Sequence, residues 1–156
     1  MANQAMWSMF PHEWKNSLNT MLTQDLDYPI MQKRPRIKLG GFIAGFLYRW
    51  PFKAQAVTIA EVIHLGPRWE KLKVSSEREA FLTIAHECVH VAQQARSTPW
   101  LPRWAAFWGL WLPRYLFLYA WAVLWAWTHG KLYQQSFHPW EAPAYDFESV
   151  LRFMLS

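Results

Sequence analysis

From Ser76 to Arg96 the chain runs without a glycine or a proline, and Ser76 stands three residues ahead of Glu79. A serine so placed accepts the backbone N–H of the third helical residue, while the glutamate can reach back to the serine's own N–H. Two donors that a helix start leaves unpaired are then satisfied together. Helix-favouring residues fill the rest of the run. A helix over this stretch is the element around which the remaining segments have to be arranged. Side chains four apart on a helix leave from one face, so His86 and His90 of the sequence HECVH aim at one place, with Glu87 beside them.

The flanking segments are read in the same way. Trp7, Phe10, Trp14, Leu18, Met21 and Leu22 recur at roughly helical spacing, which predicts a short amphipathic helix after Pro11. Gln24 to Pro35 reads as loop, and Ile37 to Trp50 as an apolar helix weakened by Gly40, Gly41 and Gly45 and ended by Pro51. The β-branched run Ala54 to Leu65, closed by Gly66 and Pro67, predicts one or two short strands and is the one clear β signal. Pro99 and Pro102 end the central helix. Pro113 then divides a tryptophan-rich segment into two parts that can each be helical, the second ended by Gly130. A terminal helix is expected from Pro139 onward. The fold class is mostly α with a small sheet or hairpin (α+β), and 156 residues suit a single domain, 1–156, with one modest core.

Composition matters most in the tryptophan-rich segment. Seven of the twelve tryptophans lie between Trp100 and Trp127, and rings of that size belong to cores, interfaces and membrane boundary zones rather than to ordinary solvated surface. Trp100, Trp104, Trp108 and Trp111 form a stripe that Trp121 and Trp125 continue. The longest clean apolar run, Tyr115 to Thr128, is shorter than the ~20 residues of a spanning helix. Three arrangements stay open. Both helices can fold over the central helix, they can form an interfacial or re-entrant hairpin with Arg103 and Arg114 reaching toward headgroups, or they can offer residues 100–127 to a protein partner. The net charge of +5 is thinly spread, and Lys33, Arg34, Arg36 and Lys38 read as a solvated basic loop, so no nucleic-acid partner is expected. The single cysteine, Cys88, cannot form an internal disulfide and reads as a small buried packing residue. The first residues lack the order of a secretory signal. A cytoplasmic place, or one within a larger particle, is expected, with membrane association open.

The chemistry follows from the histidine pair. Zinc favours imidazole nitrogen, and in catalytic sites it takes three protein ligands and a water whose proton a neighbouring carboxylate can accept. That makes His86 and His90 metal ligands and Glu87 the general base of a hydrolase. The segments HECVHVAQQ (His86 to Gln94) and HPWEAPAYD (His138 to Asp146) resemble the HExxH metallopeptidases, specifically the gluzincin group and its small zinc-peptidase-like proteins of bacteria and phages. The resemblance covers about residues 54 to 150. It implies a minimal zincin-like domain, Zn2+ as cofactor, Glu141 as third ligand, and a peptide or protein substrate laid along an edge strand within Ala56 to Leu65.

Two departures stand out. No Gly-x-x-His follows His90, which speaks against the metzincin subgroup. Where thermolysin-like gluzincins carry an aspartate four residues after the ligand glutamate, this chain has Tyr145, with Asp146 next, so the partner of the first histidine is left unassigned. His138, then His129 and Asp146, are the substitutes for Glu141. Tyr133, Tyr145 and His138 all stand near enough in sequence to serve as oxyanion donor, and Tyr145 is set beside Glu87 as a catalytic residue. The expected function is zinc-dependent hydrolysis, of a peptide bond by preference. One alternative is a structural or inactive zincin-like part of a larger assembly such as a virion, working through its tryptophan surface. A further alternative is a peripheral membrane protein.

Overall fold

The computed structural model describes residues 7–33, 35–40, 55–97, 100–132, 134 and 138–155. Helix α1 (His12–Leu26) begins directly after Pro11, as the apolar spacing predicts. It continues past Gln24 and closes at Asp27, whose backbone is left-handed (φ 50°) and whose N–H reaches the Thr23 carbonyl at 3.2 Å. The expected loop from Gln24 to Pro35 therefore contains the end of α1 and a short helix, α2 (Ile30–Lys33). The reason is burial: Tyr28 and Ile30 both enter the core, which pulls this stretch into ordered turns.

The expected helix from Ile37 is also corrected. Residues Arg36–Leu39 form strand β1, and Gly40 follows with φ +70°; residues 41–50 lie outside the described residues. Strand β1 pairs in parallel with β3 (Val62–Leu65), and β3 pairs antiparallel with β2 (Ala56–Ile59), giving the order β1-β3-β2. A helical reading of Ile37 fails because a backbone partner outside its own segment claims its hydrogen bonds, and no local pattern reports that. The β2–β3 hairpin falls within the stretch expected to form strands. Its two turn residues, Ala60 and Glu61, have φ of 48° and 62°, a conformation normally given to Asn-Gly. Outside contacts hold it: the Glu61 N–H donates to Gln94 Oε1 at 3.1 Å, and Arg103 pairs with the Glu61 carboxylate at 2.8 Å.

Helix α3 (Pro67–Ser75) was not foreseen in the sequence, although Pro67 at its first position suits a helix start. It buries Trp69, whose indole N–H donates to the Ala80 carbonyl at 2.9 Å. Helix α4 (Glu77–Ser97) is the expected central helix. Ser76 Oγ accepts the Glu79 N–H at 3.3 Å, but the Glu79 carboxylate turns away to Arg152, and the Ser76 N–H bonds the Leu72 carbonyl instead. Half of the predicted cap is thus made. Phe81, Leu82, Ile84, Cys88 and Val89 on α4 are fully or almost fully buried against α1, α3, the sheet and the last helix, α7 (Ala142–Met154).

The tryptophan-rich segment differs from expectation at Pro113. Helix α5 (Arg103–Ala106), a π-helical turn (Phe107–Trp111) and helix α6 (Leu112–Thr128) run end to end. The Leu112 N–H bonds the Phe107 carbonyl five residues back. Widening the turn at the point where the proline ring would crowd the preceding carbonyls lets the helix pass through Pro113. Among the described residues, no helix is long and apolar enough to cross a membrane. Trp111 is buried, but Trp100, Trp104, Trp108, Trp121 and Trp127 are exposed by 49 to 76%. Apart from Trp111 and the partly buried Trp125, the tryptophan stripe is therefore not core.

Candidate metal centre

His86 and His90 sit one turn apart on the face of α4 that meets α7, and Glu141 is the residue at the head of α7. His86 Nε2 lies 3.2 Å and His90 Nε2 3.4 Å from the same carboxylate oxygen, Glu141 Oε2. One donor atom from each of the three falls within 4.8 Å of the others, and all three side chains are largely buried. Burial alone would lower the pKa of His86. Its contacts with Glu141 and Glu148 overcome that and raise it to about 10. Burial opposes charge on His90 as well, and Glu141 again reverses the direction. Burial would raise Glu141, but the two histidines hold it well below the usual carboxylate range. The two imidazoles and the carboxylate thus favour one another's charged forms around a single oxygen, Glu141 Oε2. Two imidazole nitrogens and one carboxylate oxygen converging in a buried place are a donor set that fits zinc.

Each of the three side chains has a polar neighbour on its far side. His86 Nδ1 lies 3.3 Å from Glu148 Oε2, and the other oxygen of Glu148 accepts from Arg152 at 2.9 Å. Arg152 also donates to Glu79 on α4 at 2.8 Å, which ties the two helices together. His90 Nδ1 is 3.0 Å from Gln93 Oε1, and the Gln93 amide donates to the Trp140 carbonyl at 3.1 Å. The second oxygen of Glu141 accepts the Tyr115 hydroxyl at 2.9 Å. Metal-bound imidazoles generally need such partners to fix tautomer and ring direction.

Glu148, Gln93 and Tyr115 went unassigned in the sequence. Glu148 lies seven residues after Glu141, two turns on along one helix face, which brings its carboxylate to His86. The periodicity of α7 could have found it. Gln93 was visible in the HECVHVAQQ match, though without a role. Tyr115 carried no signal, because its position depends on the π-helical turn.

Glu87 is buried beside the histidines. Its Oε2 accepts the Thr58 hydroxyl of strand β2 at 2.7 Å. Tyr145 packs its ring edge-to-face on His86 at 4.8 Å between centroids, and burial followed by the nearby carboxylates raises its pKa. His138 is completely buried but otherwise engaged: Nδ1 accepts the Trp140 N–H at 3.1 Å, and Nε2 lies 3.1 Å from the Tyr115 carbonyl. His129 is exposed and stacks on Trp125, and Asp146 is exposed on α7, so neither joins the three-residue group. Tyr133 lies outside the described residues. Cys88, between the histidines, is wholly buried and faces away into the packed core.

A family model described as the eCIS core domain, the core of an extracellular contractile injection system, matches residues 51–98. That stretch carries the hairpin, α3 and α4 with both histidines, and ends before Glu141. No curated protein and no solved structure gives a match.

Proposed function

We propose that the chain is a zinc-dependent hydrolase acting on a peptide bond, with His86, His90 and Glu141 as metal ligands and Glu87 as general base. The observation that carries this reading is the return of Glu141 from α7 to the two histidines of α4, next to a buried carboxylate that is not needed as a ligand. Zinc supplies the Lewis acidity that activates a water and polarises a carbonyl. The residues of the chain do the rest. Glu87, steadied through one oxygen by Thr58, accepts the proton of the attacking water and returns it to the leaving amine. Glu148 and Gln93 fix the two imidazoles, and Tyr115 fixes Glu141. Tyr145, in contact with the His86 ring, is the candidate to donate to the developing oxyanion. Strand β2 forms one edge of the sheet and touches Glu87 through Thr58, so an extended peptide paired along it arrives beside the base.

Elemental analysis of the purified, zinc-loaded chain tests this directly. We expect one zinc per chain, none in His86→Ala, and one again in Glu87→Gln, which leaves the ligands in place. Hydrolysis of an unstructured protein substrate by Glu87→Gln should fall about a hundredfold to ten-thousandfold. Zinc retained in His86→Ala, or lost in both variants, defeats the division between ligand and base.

A second reading is favoured by the eCIS core match and by the exposed tryptophans: the domain serves within a larger contractile-injection-like particle, and the metal group is a structural staple. Under that reading Glu87→Gln leaves every function of the chain intact.

A further inference from the structure

Helix α6 buries only a narrow stripe. Ala122 and Ala126 face inward, while Leu116, Phe117, Trp121, Val123, Leu124 and Trp127, pointing to the remaining sides, are 37 to 76% exposed. A helix that is apolar all round is normally covered all round, inside a protein or by lipid. A single protein partner covers one face, whereas an acyl phase covers every face the domain leaves open.

The charges around the helix select the kind of lipid. From Cys88 through Trp140 there is no aspartate or glutamate. Arg114 lies over the Trp140 ring at 5.3 Å near the start of α6, and Lys131 over the Trp125 ring at 5.1 Å just past its end. The apolar stretch between these cations runs about 20 Å along the axis, short of the roughly 30 Å hydrocarbon core, so with both cations at headgroup depth the helix lies along one leaflet rather than across the bilayer. Tryptophans stand before the helix, at Trp104 and Trp108, and along it, at Trp121 and Trp127, and indole favours the boundary between headgroups and acyl chains.

We propose that α5, the π-helical turn and α6 form a monotopic docking surface for an anionic lipid bilayer, with Phe117, Trp121 and Trp127 inserted and Arg114 and Lys131 at the headgroups. The proposal is independent of catalysis. It is tested on the full chain by flotation with vesicles of phosphatidylcholine alone and of phosphatidylcholine with one-third phosphatidylglycerol. The chain should float with the anionic vesicles roughly tenfold or more better than with neutral ones. Phe117→Ser with Trp121→Ser and Trp127→Ser should abolish flotation on both, while Arg114→Gln with Lys131→Gln should remove the preference and leave the neutral-vesicle level. Circular dichroism of each variant, unchanged from the parent, establishes that the fold persists. Two outcomes overturn the proposal. One is failure to float on either vesicle. The other is a defined oligomer or protein complex that takes up these side chains and ignores lipid, which assigns the surface to a protein interface.

Discussion

The face where α4 meets α7 and the outer face of α6 are built on opposite terms. Between α4 and α7 a chain of polar groups runs from Glu79 through Arg152, Glu148 and His86 to Glu141 and Tyr115, each touching the next. Groups of this kind are tolerated in a low-dielectric place only when their partners are present, and the chain supplies most of them, His86 Nδ1 having the 3.3 Å approach of Glu148 but no hydrogen bond of good geometry. On α6 the large side chains are apolar, and many have no cover from the described residues. Under the proposed docking, burial there comes from outside. A chain's chemistry and its location can thus be written on separate helices.

Tryptophan substitutions break or uphold this contrast with the largest expected effect. Trp69, buried on α3 with its indole hydrogen bond made, should cost about 3–5 kcal/mol on replacement by alanine. Trp127→Ala, at 76% exposure, should stay within about 0.5 kcal/mol in the isolated chain. Urea unfolding of the two variants measures both. Equal losses would mean that α6 is packed as tightly as the core and that the two regions do not differ.

Much of the polar region was legible in advance. Helix α4, the hairpin, α1 and α7 each announce themselves by local periodicity, capping residues or β-branched runs. His86, His90 and Glu141 lie on those elements, and the structure brings the three together. What escaped depends on partners remote in sequence. Strand β1 exists because β3 pairs with it, and α2 because Tyr28 and Ile30 find the core. Helix α3 is short, and its charged residues blur the apolar period. Glu148 becomes visible only when the register of α7 against α4 is known, and Tyr115 only when the wide turn has set the phase of α6. The exposed tryptophans show the reverse limit: composition flagged the segment, but exposure is a property of the folded chain.

A smaller effect sharpens the polar side. Glu148→Gln keeps a group of the same shape behind His86 but removes the carboxylate charge, and zinc affinity should fall about tenfold to a hundredfold. Competition with a chromophoric chelator reads this without any activity assay. An unchanged affinity would make Glu148 a partner of Arg152 alone. The smallest effect expected is that of Tyr115→Phe, which deletes one hydrogen bond to Glu141 and keeps the ring stacked on His138. A loss of about 1 kcal/mol in zinc binding, some fivefold, is the expected size for such a bond. No loss would uncouple α6 from the metal group.

Tyr115 belongs to both regions: it rises from the apolar helix, and its hydroxyl ends on the carboxylate of Glu141. Its ring also stacks between Trp111 and His138, so it cannot shift alone. Two equilibria that share a rigid part cannot be independent, and thermodynamic linkage then requires reciprocity. If covering α6 steadies Tyr115 and tightens the cation by some factor, the cation tightens the covering by the same factor. The domain would then hold its ion most firmly where it is docked and release it most readily when adrift, which makes one hydroxyl a two-way report between place and chemistry.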